Sequence, residues 1–271
     1  MSTNPPTVIS ENNLSVAWAK ALLEAMKRSH SELAPLALSV GGFSGAPAED
    51  VEISRIFDAA RLNYRGKEVF SAAVSASTIF PWKFWRMNSS PDCAVLSARY
   101  LAEILPRLKA RDPKNRFGTY FERMVNFGEN ITKGIPGKNQ LKHTIDLWGK
   151  RAKARSHPRH SAMIASCFDP QKDHGFQTMR GFPCLQQVSF GYDNSGGLSV
   201  SAYYPTQYIF DRAYGNYLGL GHLGQFMASQ LGIKLVRLNV FVGRPELGSP
   251  GKRELKGVSD ALNKRLAQLA R

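Results

Sequence analysis

Cysteine is scarce in this sequence and scattered: Cys93, Cys167 and Cys184 stand among 271 residues, odd in number and without C-x-x-C spacing. That pattern excludes a disulfide framework and a zinc knot, and it predicts reduced, free thiols. No run of about 18 apolar residues occurs, so no segment is expected to span a bilayer. The polar start MSTNPPTVISENN lacks the charged-then-apolar layout of a secretory signal, and a cytoplasmic protein without membrane contact is expected. The strings G-x-x-x-x-G-K-[ST], H-E-x-x-H and G-x-S-x-G are all missing, which leaves P-loop NTPase, zinc protease and α/β-hydrolase readings without footing. No metal is expected. Internal repeats and long linkers are missing too, so the chain divides into a disordered start over residues 1–12 and a single domain over 13–271.

Acidic residues are the scarcer charge. Against 36 Lys and Arg there are 21 Asp and Glu, a formal net charge of +15. Anionic partners are therefore attracted, whether phosphorylated small molecules, nucleic acid or acidic protein surfaces. The excess is concentrated at residues 105–117, 141–160 and 251–271. Each of these reads most simply as a solvated basic face, and together they leave room for a polyanion.

The apolar pattern that is present reads as α+β. Val16, Ala19, Leu22, Leu23 and Met26 recur at helical spacing within 13–33. APLALSV reads as a short strand running into a bend at Gly41 and Gly42. CAVLSARYLAEILPRLKA is helical with a break at Pro106, NQLKHTIDLWGKRAKAR is a further helix, and HSAMIASCFD reads as a buried strand. Trp82, Phe84 and Trp85 beside Lys83 and Arg86 suit either base stacking or, more commonly, buried rings with their charges in water. LQQVSFGYD and LSVSAYYPT are β-prone runs joined by the turn NSGG. A helix follows, closed by Gly232, then a strand, IKLVRLNVFVG, and a basic terminal helix. The string GLGHLG at 219–224 matches G-x-G-x-x-G, but it lies inside the helical pattern, so its glycines are expected to serve close packing and not a dinucleotide.

One stretch asks for chemistry. In RGFPCLQQVSFGYDNSGGLSVSAYYP, Cys184 follows Pro183 directly at the start of the hairpin. Together with Leu198, Ser199, Tyr203 and the helix NYLGLGHLGQFMASQLGI opened by Asn216, this run resembles the catalytic core of thymidylate synthases and pyrimidine nucleotide hydroxymethylases. FGTYFERM is similar to the segment that carries the family's active-site tyrosine, which falls on Tyr120. The resemblance runs from about residue 80 to 242 and is specific around Cys184. It implies a three-layer α+β fold whose large mixed sheet is used for dimerisation, and a homodimer. It also implies that Cys184 adds to C6 of a uracil-type nucleotide, that 5,10-methylenetetrahydrofolate provides the one-carbon unit, and that Asn216 reads the pyrimidine edge. An asparagine there would also make a good helix N-cap. The thiolate needs positive charge nearby, for which Arg180 and Arg159 are candidates.

The pattern also departs from the family. Leu185 stands where the family has histidine, and Ser189 where it has a strand glutamine. The run that should carry a phosphate-gripping arginine reads Tyr204-Pro205-Thr206-Gln207-Tyr208, in which Thr206 keeps a hydroxyl at the place of the family's serine. The arginine pair that the partner subunit lends in the family is Arg159-His160, and VGRPEL replaces the sugar-holding motif, with Arg244 as a conceivable phosphate contact. Three readings stand. The first is a divergent pyrimidine C5-transferase, the second an inactive protein of this fold that binds nucleic acid or a nucleotide, and the third an assembly subunit. The proline-cysteine pair favours the first, because a binding module has no chemical need of it.

Overall fold

The computed structural model describes residues 5–28, 34–45, 47–64, 70–89, 91–111, 113–174 and 183–270. Strand β1 (Thr7–Glu11), helix α1 (Leu14–Lys27) and strand β2 (Leu36–Val40) come first, the two strands parallel. Residues 7–11, expected to be disordered, are therefore an edge strand. Thr7, Val8 and Ile9 are β-branched, Ile9 is buried, and the strand pairs residue for residue with β2. Asn13 caps α1 by accepting the Val16 N–H at 3.1 Å.

Helices α2 (Val51–Leu62), α3 (Ala72–Ile79), α4 (Trp82–Met87) and α5 (Cys93–Arg99) follow. The break predicted at Pro106 does not occur. Instead α5 continues through a π-helical turn (Tyr100–Ile104) into α6 (Leu105–Arg111), so the irregularity falls just ahead of the residue that cannot donate to the ladder. The aromatic cluster of α4 turns inward: Trp85 is buried, and Trp82 stacks on His222 at 4.5 Å with the Arg86 guanidinium 5.8 Å from its ring centre. After a 3₁₀ turn (Pro113–Phe117) come α7 (Tyr120–Val125) and α8 (Gln140–Lys153), and a second 3₁₀ turn (His160–Ala162) leads into β3 (Ile164–Ser166) and α9 (Pro170–Asp173). The hairpin β4 (Gln187–Tyr192) and β5 (Gly197–Tyr208) passes through another π-helical turn (Ile209–Ala213) into α10 (Tyr214–Leu231), then β6 (Lys234–Glu246) and α11 (Lys256–Leu269).

The strands form one mixed six-stranded sheet in the order β1-β2-β6-β5-β4-β3, with β5 and β6 parallel at its centre. Strand alternation sends Leu38, Val40, Val188, Phe190, Val200, Tyr204, Leu238 and Val240 to one face, where they are buried. Helix α10 lies against that face and α3 lies across α10, so sheet, α10 and α3 succeed one another as layers. The glycines of the GLGHLG string set these distances: a Cβ on Gly219 would stand 2.7 Å from the Ala76 carbonyl oxygen, and one on Gly224 would stand 2.9 Å from Leu235 and Val200 side-chain carbons. Their packing role is as the sequence predicts.

Among the described residues no helix covers the opposite face of the sheet. Val8, Val236, Tyr203 and Phe241 are exposed there, the last two stacked at 6.0 Å, around a hydrogen-bonded ladder of Ser39, Asn239, Ser199 and Ser201. Among the described residues no helix is long and apolar enough to cross a membrane.

Glycine substitutions separate packing from propensity. Gly219→Ala is expected to lower the melting temperature, because overpacking against a backbone oxygen costs about 1–3 kcal/mol and outweighs a helix gain of about 1 kcal/mol. Gly149→Ala in α8, where an added Cβ meets nothing within 4 Å, is expected to raise stability by about 0.5–1 kcal/mol. Thermal denaturation of both variants checks the pair.

Candidate active site

Tyr120 is the first residue of α7, and the start of that helix is fixed by a capping box. The Thr119 hydroxyl accepts the Glu122 N–H at 3.1 Å, and the Glu122 carboxylate accepts the Thr119 N–H at 3.2 Å. Three residues on, Arg123 is buried and donates to both oxygens of Asp173, at 2.6 and 2.9 Å, and to the carbonyls of Cys167 and Phe117 at 2.8 and 2.7 Å. One guanidinium thus ties α7 to α9 and to the chain leaving β3. Gln140 adds a second tie, donating to the Arg123 and Ser166 carbonyls.

Cys184 sits where the chain enters β4. The Gln186 side chain donates to the Pro183 carbonyl at 2.7 Å, and the Gln186 backbone bridges Tyr203 and Cys167, so the turn carrying the thiol is held at the end of the sheet. The thiol is free and the residue exposed, whereas Cys93 and Cys167 are buried. Burial pushes Cys93 up to about 11 and Cys167 up to about 12. Cys184 is also raised, because surrounding protein desolvates the thiolate, but the Arg212 guanidinium and a hydrogen bond from Tyr120 pull it back. Tyr120 is itself raised, chiefly by burial, with the nearby Leu185 backbone N–H pulling the other way. Structure thus brings Cys184 and Tyr120 together, from segments far apart in sequence.

Of the two arginines expected beside the thiol, only Arg159 falls among the described residues, and Arg180 lies outside them. Arg159 is exposed beside the 3₁₀ turn that precedes β3, next to the Tyr192 end of β4, while Cys184 precedes the Gln187 end. The length of β4, about 17 Å at ~3.3 Å per residue, keeps the two apart within one chain. Arg212 supplies the charge instead, from the π-helical turn before α10, with its guanidinium 4.6 Å from the Phe70 ring centre. Its position was legible in principle, since Arg212 and Asn216 are four residues apart on one continuous helix.

Asn216 is only 4% exposed, and it is not a helix cap: it lies inside α10, whose N-cap is Ala213. The helix runs back into the π-helical turn, so no free N-terminus remains for an asparagine to cap. Two buried groups of β5 are left unpaired among the described residues. The Tyr204 hydroxyl, under the electrostatic influence of Tyr120, Tyr217, Cys167 and Cys184, has no partner, and neither does Gln207 Nε2, although Gln207 Oε1 accepts from Tyr217 at 3.0 Å. Buried polar groups are rarely left unpaired, and such a set suits a polar ligand or water.

Ser189 and Thr206 do not join this group. Ser189 alternates with buried Val188 and Phe190 and therefore points to the uncovered face of the sheet, paired with Ile164 and Ser201. Thr206 is half-buried beside Arg244 of β6, and Arg244 is held by Glu246 at 2.8 Å. Pro205 is tolerated because β4 pairing ends at Tyr203, and Gly243 makes room for the Pro205 carbonyl.

Two labelling outcomes follow. Iodoacetamide at mildly alkaline pH is expected to modify Cys184 first, with Cys93 and Cys167 reacting only on unfolding, as read by peptide mapping. Arg212→Met removes the charge that favours the thiolate, so the pH midpoint of Cys184 alkylation should move upward and the rate at a fixed lower pH should fall. An unchanged profile would mean that Arg212 does not act on the thiol.

No protein-family model matches the sequence and no curated protein matches it, so the reading of the site rests on its own residues.

Proposed function

We propose that the chain is a divergent thymidylate synthase-like transferase that uses Cys184 to add a one-carbon unit to C5 of a uracil-type pyrimidine. The observation that carries this reading is the convergence on one thiol of Tyr120 and Arg212, with Asn216 one turn beyond Arg212. C5 of a pyrimidine is a weak nucleophile until a thiolate adds to C6. In the proposed step the sulfur bonds to C6 and the C5–C6 electron pair moves to C5 and O4. C5 then bonds to a one-carbon electrophile at the formaldehyde level, whose π electron pair moves to its own heteroatom; C5 loses its proton, and the re-formed C5–C6 double bond expels the thiolate. Arg212 favours the thiolate and the anion that follows it, Tyr120 donates to the sulfur, and the Asn216 amide has a donor and an acceptor for the pyrimidine edge.

Beside the thiol is the Arg212 guanidinium on Phe70, which suits an anionic group. Helix α11, at the C-terminus, is tied to the start of α2 by the Arg265–Asp50 pair at 2.7 Å. No step is derived through folate. The uncovered sheet face supports the accompanying homodimer, packed sheet to sheet, which would bring Arg159 of one subunit toward the site of the other.

The expected outcome with a 5-fluoro-uridine nucleotide is a mass adduct on Cys184, assayed with and without 5,10-methylenetetrahydrofolate and absent in Cys184→Ala. If no uridine or cytidine nucleotide gives an adduct under either condition, the second reading takes over: an inactive protein of this fold that binds nucleic acid or a nucleotide. Sedimentation should give a dimer mass, and a monomer at all concentrations would remove the sheet-to-sheet part of the proposal.

A further inference from the structure

Between Asp146 and Asp169 the sequence has no acidic residue, while Lys150, Arg151, Lys153, Arg155 and Arg159 all fall there. All five are exposed at the C-terminal end of α8 and the turn after it, and none pairs with a carboxylate among the described residues. The only ion pair of α8 among those residues is farther back, Lys142 with Asp146.

Three of these cations have an ordinary structural explanation, because basic residues in the last turn of a helix complement its dipole. Arg155 does not. The chain leaves α8 through a Schellman motif, in which the Arg155 N–H reaches the Ala152 carbonyl at 2.9 Å and the Ser156 N–H reaches that of Arg151 at 3.0 Å. Arg155 occupies the left-handed position of that motif, at φ 50°, where glycine is the unstrained choice. A guanidinium is kept there against the backbone preference, and strain of that kind points to a use for the side chain.

Beside these cations is a stack of rings. His160 lies on Tyr192 at 4.2 Å and 11°, His157 lies on Tyr192 at 5.2 Å and 27°, and Trp148 meets Tyr192 edge-on at 5.0 Å. The Tyr192 hydroxyl donates to the Pro158 carbonyl and the Trp148 Nε1 to that of Leu231, which fixes both rings, while His157 and His160 are exposed. Cations flanking exposed, pre-stacked rings match the requirement of a single-stranded nucleic acid, whose phosphates need charge and whose bases need a flat partner. An acidic peptide would use the charge and leave the rings idle.

We propose that the α8 end, with Lys150, Arg151, Lys153 and Arg155 around the His157–Tyr192–His160 stack, is a binding surface for single-stranded nucleic acid. It stands apart from Cys184, at the other end of β4, and does not depend on the proposed transfer reaction.

Fluorescence anisotropy with a mixed-sequence single-stranded oligonucleotide tests it on the full chain. Binding should weaken steeply with salt. The combined variant Lys150→Ala, Arg151→Ala, Lys153→Ala, Arg155→Gly should lose at least ~100-fold in affinity near 0.1 M salt and flatten the log–log salt slope by about 3, at about 0.7 per lost phosphate contact. Arg155→Gly alone should raise the melting temperature while weakening binding, a combination that a structural role for Arg155 cannot produce. Absence of salt-dependent binding overturns the proposal. So does an equal affinity for poly-glutamate, or a loss of binding only when Lys252, Arg253, Lys256 and Lys264 of the terminal segment are replaced by alanine.

Discussion

Arg123 is the contact on which the site depends. A buried guanidinium is costly unless its donors are satisfied, and here the Asp173 carboxylate and two backbone carbonyls take them. The Arg123 side chain draws α9, the chain after β3 and the turn before α7 onto one point. Tyr120, at the head of the same short helix, has its hydroxyl set against the Leu185 N–H and the thiol by that anchorage. A helix of six residues has too few internal hydrogen bonds to hold such a position alone.

The thiol itself sits between opposing effects. Desolvation favours the neutral sulfur, while Arg212 and Tyr120 favour the anion. Its two buried counterparts have lowering neighbours too, Arg123 beside Cys167 and Ser97 and Asn139 beside Cys93, but burial outweighs them, and exclusion from solvent makes them packing residues. What distinguishes Cys184 is thus its surroundings and its exposure at the end of the sheet.

Much of the architecture was legible because its signals are local. The hairpin around NSGG, the helix ended by Gly232 in the left-handed conformation and the packing glycines of GLGHLG follow from spacing and turn chemistry. The charge partner of Cys184 was legible only as a helical neighbour of Asn216; that Arg212 reaches the thiol depends on β5 feeding straight into a helix that packs against the sheet. Ser189 holds the linear place of the family's strand glutamine, but a match of linear order ignores strand alternation: the residues on either side of it are buried, so it faces away from them. The first strand was missed because five residues with one buried position carry almost no periodic signal, and their pairing with β2 is decided by tertiary structure. Arg159 keeps its expected exposure, but the length of β4 separates it from the thiol of its own chain.

Strand β5 passes into α10 with no loop between them, only a π-helical turn. Loops supply slack; this junction has none. The 18 residues of α10 make a rod of about 27 Å at ~1.5 Å per residue, with the Arg212 turn at one end and, through the Leu231 carbonyl, Trp148 at the other. The rod therefore works as a ruler: the spacing between the thiol's charge partner and the ring stack at the end of α8 is set by helix length and cannot be adjusted by a flexible connection.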